Sequence, residues 1–253
     1  MNSPRLLSST SDIAKFLFFP YHSFLKNGVN MADLGFAVNT HKHTVSNATL
    51  KKFAKFAVAN ISDAVSRTNG TVDLRPIHKG GRILGRAFTV KTAPGDNLMV
   101  HKAIDMAAPG DVIVVDAGGP QRNAIIGEIM STLAASRKIA GFVIDGPIRD
   151  FDALSKGKFP VFARSVSHRG PYKEGPGEIN VTVCVDGMVV HPGDIIVGDQ
   201  DGVFAIRPEM AEQLAKLVAD IEKKEKEIFA KIAKGTLDRS WVDQSLRAKG
   251  VLK

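Results

Sequence analysis

The tripeptide Pro-Gly-Asp occurs three times in this 253-residue chain, at 94–96, 109–111 and 192–194. Two copies open directly onto apolar runs, in PGDVIVVD and PGDIIVGD. Proline presets a turn's backbone, glycine tolerates a positive φ, and aspartate can bond nearby backbone, so each copy reads as a turn feeding a strand. The first copy leads instead into NLMVHKAIDM, where Asp96 or Asn97 can cap a helix.

The same alternation runs through the chain. Strands are predicted at Phe88–Val90, Val112–Val115, Phe142–Ile144, Val161–Phe162, Val181–Val183, Met188–Val190, Ile195–Val197 and Val203–Ile206. Apolar spacings of three and four predict helices over 47–67, 98–106 and 123–137. A stripe of Leu214, Leu217, Ile221, Ile228 and Ile232 marks another over 208–234, stopped at Gly235, that packs on its own sheet or on a neighbouring subunit. Strands alternating with helices point to an α/β fold.

Composition closes off several classes. Hydrophobic residues at 44% and charged residues at 24% are globular values, and no apolar run is long enough to span a bilayer. The lone Cys184 excludes an intrachain disulfide and any multi-cysteine metal site, and a reducing, cytoplasmic setting is expected. Residues 1–46 read as an N-terminal extension, 47–207 as the α/β domain and 208–253 as a C-terminal helical extension. The first thirty residues are Ser-rich and basic, with Phe16, Phe18, Phe19 and Phe24. They suit a transit peptide, an upstream start with Met31 beginning the core, or an ordered extension. A net charge of +8 raises nucleic acid, membrane headgroups or anionic small molecules as partners. There is no Lys/Arg stripe interleaved with aromatics, so nucleic acid is not expected.

The stretch from Gly127 to Asp150 carries the most chemistry. Glu128 falls in the first turn of a predicted helix, and the strand GFVID exits through Gly146-Pro147 to Arg149-Asp150. Ligands in open α/β sheets gather outside the carboxyl ends of strands. If the neighbouring strands are parallel, Glu128, Arg149, Asp150 and the Gly118-Gly119 amides converge there. Two carboxylates suit a hard cation such as Mg²⁺, and an arginine fork matches a carboxylate. The same Arg-Asp pair is equally the form of a surface turn with an ion pair, and His101, taken alone, suits a structural histidine. Zincin, α/β-hydrolase, P-loop and dinucleotide signatures are absent.

The segments SDAVSR, GRAFTV, PGDNLMVHKAI, GEIMSTLAA, GFVIDGPIRD and HPGDIIVGDQDGV, with the acidic residue, twenty residues and Arg-Asp at 128–150, resemble the RraA-like family, which includes class II 4-hydroxy-4-methyl-2-oxoglutarate/4-carboxy-4-hydroxy-2-oxoadipate aldolases. The resemblance implies a swivelling β/β/α sandwich, assembled as a homotrimer or a dimer of trimers with sites between subunits. It implies Asp150 as metal ligand, Arg149 as the cation orienting substrate, and Glu128 where the aldolases commonly carry aspartate. Gly127, Ile129 and Met130 stand beside them on the substrate, and His101 matches a pocket histidine. A C-terminal glutamate from a neighbour completes the metal site, with Glu222, Glu225 and Glu227 as candidates and Glu225 favoured.

The implied activity is Mg²⁺- or Mn²⁺-dependent cleavage of 4-hydroxy-2-oxo diacids to pyruvate, with oxaloacetate decarboxylation at the same site. The partner is then a small 2-oxo acid. The alternative is a non-catalytic RraA-type regulator that binds an RNase E-like ribonuclease.

Overall fold

The computed structural model describes residues 35–253 except Gln121, so the Ser-rich start, its phenylalanines and Met31 lie outside the described residues. In chain order the strands are β1 (Phe36–Val38), β2 (Arg75–Pro76), β3 (Ile83–Thr92), β4 (Asp111–Asp116), β5 (Gly141–Ile148), β6 (Val161–Val166), β7 (Gly177–Ile179), β8 (Val183–Val185), β9 (Met188–Val190), β10 (Ile195–Asp199) and β11 (Gly202–Ile206). The helices are α1 (Asn47–Lys52), α2 (Val58–Ala64), α3 (Leu98–Met106), α4 (Glu128–Ser136), α5 (Phe151–Lys156), α6 (Ala211–Ala233) and α7 (Ser240–Ala248).

Strands β3, β4, β5 and β6 pair in parallel at the centre of a nine-stranded sheet ordered β1-β7-β3-β4-β5-β6-β2, and the β10–β11 hairpin joins along β3. Successive side chains alternate between faces. Ile113, Val115, Phe142 and Ile144 therefore meet α3, α4 and α5. Val112, Val114 and Val143 meet the β8–β9 ribbon through Val183, Val185, Met188 and Val190. Helices, sheet and ribbon make the β/β/α layering that the sequence resemblance implied. A third cluster seats α1, α2 and the first half of α6 on β10 and β11.

All three Pro-Gly-Asp copies form the same turn. The aspartate N–H of each donates back to the carbonyl three residues earlier, at 3.0–3.1 Å, and Gly95, Gly110 and Gly193 have φ of +76°, +88° and +85°. These are the features of a type II turn with proline second and glycine third. Asp111 and Asp194 each accept a backbone N–H from the turn's first residue, Ala108 and His191, at 2.9 and 2.8 Å. Asp96 instead accepts from Leu98 N–H at the start of α3, and from Glu174 and Gly175 in a distant loop.

The structure corrects several boundaries. The helix expected over 47–67 is two helices, because Arg82 takes the Phe56 carbonyl and Asp199 caps Val58 N–H at 2.8 Å, starting a second helix there. The helix expected from 123 begins at Glu128; Ile125 and Ile126 are extended and pair with Pro147 and Ile148. The strand expected from Val181 begins at Val183. Short strands β1, β2 and β7 had no signal. Residues 36–46, counted with the extension, join the fold through the β1–β7 pairing and a buried Val45. Of the stripe on α6 Leu214 is buried, while Leu217, Ile228 and Ile232 are exposed; Val218, outside the stripe, is buried beside Leu214.

One charged tie binds ribbon to sheet. Arg164 on β6 reaches Asp145 on β5 and Asp186 at 2.7 Å each, and Asp73 at 2.9 Å. Asp186-Gly187 is the two-residue turn between β8 and β9, with φ of +52° and +80°, as a type I′ hairpin requires. Burial would raise the Asp186 carboxyl, but the Asp73 and Val72 N–H groups and the Arg164 guanidinium outweigh it and hold it below the usual range. Its stabilising effect is thus present above the ordinary carboxylate pKa of about 4 and is lost as pH falls through the lower folded value. Asp186→Ala leaves Arg164 short of a buried partner and should cost about 3 kcal/mol in urea unfolding at neutral pH. The gap to the unsubstituted protein should narrow in acid below about pH 4.

Candidate active site

Strand β5 delivers Arg149 and Asp150 at the carboxyl edge of the sheet, and the segment before α4 comes alongside. Ile125 N–H donates to Pro147 O at 2.9 Å, Ile126 bridges Ile148 in parallel, and Arg149 N–H donates to Ile126 O at 3.0 Å. This short added pairing brings Gly127 and Glu128 against Arg149 and Asp150. Asp150 has the left-handed values φ +56° and ψ +40° at the N-cap of α5, a conformation uncommon outside glycine. Its Oδ2 accepts Glu128 N–H at 2.9 Å and lies 3.6 Å from Arg149 Nε. Gly127 makes the approach possible: a Cβ there would sit 2.4 Å from Asp150 Oδ2 and 2.9 Å from Arg149 Cγ. Its φ of −154° is ordinary extended backbone, so the requirement is for space.

A cavity of about 290 Å³ opens beside this pair. His101, Gly127, Ile129, Met130 and Arg149, all named from the sequence, line it. Glu128 and Asp150 are chain neighbours of those residues at the cavity's side. Lys173, Asn97 and the Gly170-Pro171 pair also line it and escaped the sequence reading. Asn97 carried only a helix-cap signal; in the fold its amide donates to Ile125 O at 2.9 Å and its buried Oδ1 has no partner. Lys173 sits in a loop without periodicity, which tertiary bonds hold in place. Ala124 N–H reaches Arg169 O, Asn123 reaches Gly170 O, and Tyr172 exchanges backbone bonds with Gly95 and Asn97.

Two expected contributors are engaged elsewhere. Gly118 N–H goes to Asp116 Oδ1 and Gly119 N–H to Asp145 O, so these amides serve their own loop and do not line the cavity. Glu225 accepts from Asn60 Nδ2 at 2.8 Å within its own chain.

Burial, and secondarily the Lys173 ammonium, lower the His101 imidazole below its ordinary value, with Asp105 pulling weakly the other way. His101 is thus neutral at pH 7 and able to accept or donate a proton. Among the described residues no group of three or more His, Cys, Asp or Glu could hold a metal ion. Asp150 and Glu128 nonetheless fit a hard divalent cation in kind. Both offer carboxylate oxygens, and neither Asp150 Oδ1 nor the Glu128 carboxylate bonds a described residue. Mg²⁺ usually takes one or two carboxylates and keeps water or substrate on its other positions.

The RraA-like family model, described as Aldolase/RraA, matches residues 58–205. A Halalkalibacterium halodurans protein named "Putative 4-hydroxy-4-methyl-2-oxoglutarate aldolase" is 40% identical over 184 residues, 71% of this chain and 88% of that one. A solved Pseudomonas syringae protein of uncharacterized function superposes with a TM-score of 0.70 at 26% identity, covering 79% of this chain and 95% of that one. The RNA-processing inhibitor RraA from Thermus thermophilis superposes at 0.55 and 28% identity, covering 59% and 92%. No helix among the described residues is long and apolar enough to cross a membrane.

In an NMR titration the His101 ring should therefore change charge below pH 6.5 and shift upward in Lys173→Ala, with the ring carbons as reporters. An unfolded chain binds that proton more readily, so His101 lowers stability as pH drops through 6.5.

Proposed function

This chain belongs to the RraA-like family, and from that premise we propose that it is a carbon–carbon lyase cleaving 4-hydroxy-2-oxo diacids of the 4-hydroxy-4-methyl-2-oxoglutarate type to pyruvate, and decarboxylating oxaloacetate at the same site. The observation that carries this reading is one small cavity with two cations, Arg149 and Lys173, on its walls and two carboxylates beside it. A cavity of about 290 Å³ is scaled to a short diacid, and two cations suit its two carboxylates.

Bound at Asp150 and Glu128, Mg²⁺ or Mn²⁺ would supply Lewis-acid polarisation of the 2-oxo group. The chain's own residues do the rest. The Arg149 fork pairs with the 2-oxo acid end and faces the oxygen on which enolate charge develops as the C3–C4 bond breaks. Lys173 pairs with the distal carboxylate. The C4-hydroxyl proton passes to a carboxylate of this edge or to a water it holds, and neutral His101 is placed for proton transfer as C3 of the enolate is reprotonated. Oxaloacetate losing CO₂ gives the same enolate, which is why one site serves both reactions.

Assembly belongs to the same reading. Ile228, Phe229 and Ile232 on the outer half of α6 are exposed, which supports a homotrimer or dimer of trimers in which a neighbour covers them. Glu225 accepts from Asn60 through Oε2 alone, which leaves its other oxygen for a neighbour's site. The likeness to the Thermus RNA-processing inhibitor keeps a second reading in view, a non-catalytic regulator of a ribonuclease.

Pyruvate release from oxaloacetate and from 4-hydroxy-4-methyl-2-oxoglutarate, followed with coupled lactate dehydrogenase, decides between them. Release should require Mg²⁺ or Mn²⁺, stop with EDTA, and fall by about 10²–10³ in kcat for Arg149→Ala. Gly127→Ala should impair it comparably, because the added methyl displaces Asp150 and Arg149 from each other. No metal-dependent release from either compound would instead support the regulator.

A further inference from the structure

Ahead of the family-matched span, residues 36–47 run along β3 from the cavity side of the sheet to its opposite edge. At the near end β1 pairs with β7, Phe36 to Gly177 through Val38 to Ile179. Asn39 adds two bonds to Ile179 O, and Asn180 Nδ2 returns one to Asn39 O at 2.9 Å. Strand β7 directly follows the loop that carries Gly170, Pro171 and Lys173 into the cavity.

At the far end two imidazoles rest on two of the Pro-Gly-Asp turns. His43 Nε2 pairs with Asp111 Oδ1 at 2.8 Å, and His41 Nε2 lies 2.3 Å from where a Cβ on Gly193 would stand. Arg86 then grips the exit of the segment, reaching Val45 O at 3.0 and 3.1 Å and Asn47 Oδ1 at 2.6 Å. Between the two ends the segment bridges a cavity of about 460 Å³ bordered by Lys42, Phe88, Met106 and Asn180. It is held at points, not by continuous packing, so each point matters more.

We propose that residues 36–47 are a strap, clasped by His43 on Asp111, that sets the position of the Lys173 loop through β1 and β7 and makes His43 a positioning residue for the site. Asp111 is buried, and burial raises its carboxyl against the pull of Ala108 N–H and His43. The contact therefore serves both partners: it fixes the strap and sets the His43 ring nitrogen beside a buried carboxylate oxygen that has no hydrogen-bond partner of its own among the described residues.

Hydrogen exchange on the full chain tests this. His43→Ala should speed amide exchange about tenfold at 36–39 and also at 172–175, with β4 and β5 unchanged. KM for the oxo acid should rise about threefold with kcat nearly constant, the mark of altered binding and not of altered chemistry. His43→Gln, which keeps an N–H for Asp111, should restore both. Should His43→Ala fold poorly, Asn39→Ala releases the near end without touching Asp111 and should give the same signature at 172–175. Faster exchange confined to 36–47, an unmoved KM, or no rescue by glutamine overturns the proposal. The kinetic half rests on the lyase reading, while the exchange half is read whether or not the chain cleaves any 2-oxo acid, so the two failures are distinguishable.

Discussion

A parallel strand buried on both faces can satisfy its backbone only through its neighbours, and β4 and β5 impose that condition on the whole chain. Every residue of β5 is buried, as are the first five of β4. One face must be closed by α3, α4 and α5 and the other by the β8–β9 ribbon, since either left open would expose a row of valines and isoleucines to water. The centre of the sheet can then host no water-exposed chemistry. Reactive side chains are confined to where the strands stop, and Arg149 and Asp150 are the first residues after β5.

The charge pattern follows from the same confinement. The formal +8 suggests a diffuse basic surface, yet several arginines are internal connectors. Arg164 ties β5, β6 and the ribbon turn, and Arg86 grips the Val45 carbonyl. Burial works against the Arg164 charge, but Asp145 and Asp186 more than offset it and raise its pKa. Among the described residues the cations that line the cavity are Arg149 and Lys173, and with Asp150 and His101 close by, the site has both signs of charge within a small volume.

What was legible in the sequence was whatever short-range physics determines. Pro-Gly-Asp specifies a turn by backbone geometry alone, and all three copies form it. Apolar runs between such turns become strands, and Leu98–Met106 is helical as its spacing predicts. Gly127, Glu128, Arg149 and Asp150 stood out by residue type and by the fixed interval between them at a predicted strand exit, and the structure brings them together. Long-range partners were not legible. Asp199 starts a new helix at Val58 from 141 residues away, and Ile126 kept helical spacing while joining Ile148 as strand. Lys173 reaches the cavity in a loop held by residues far back in the chain, among them Asp96, which takes the Glu174 and Gly175 amides. The family match, starting at residue 58, leaves the segment around His43 outside it.

Strand β1 is only three residues long and lies at the margin of the nine-stranded sheet. Short marginal strands blunt the unpaired row of amides and carbonyls through which sheets add foreign strands. A chain trimmed to its family-matched span would lose that cover and present the outer side of β7 as a docking rail for another polypeptide. Colloidal behaviour, and with it the concentration at which such a shortened chain stays dispersed, would then depend on residues that take no part in the chemistry.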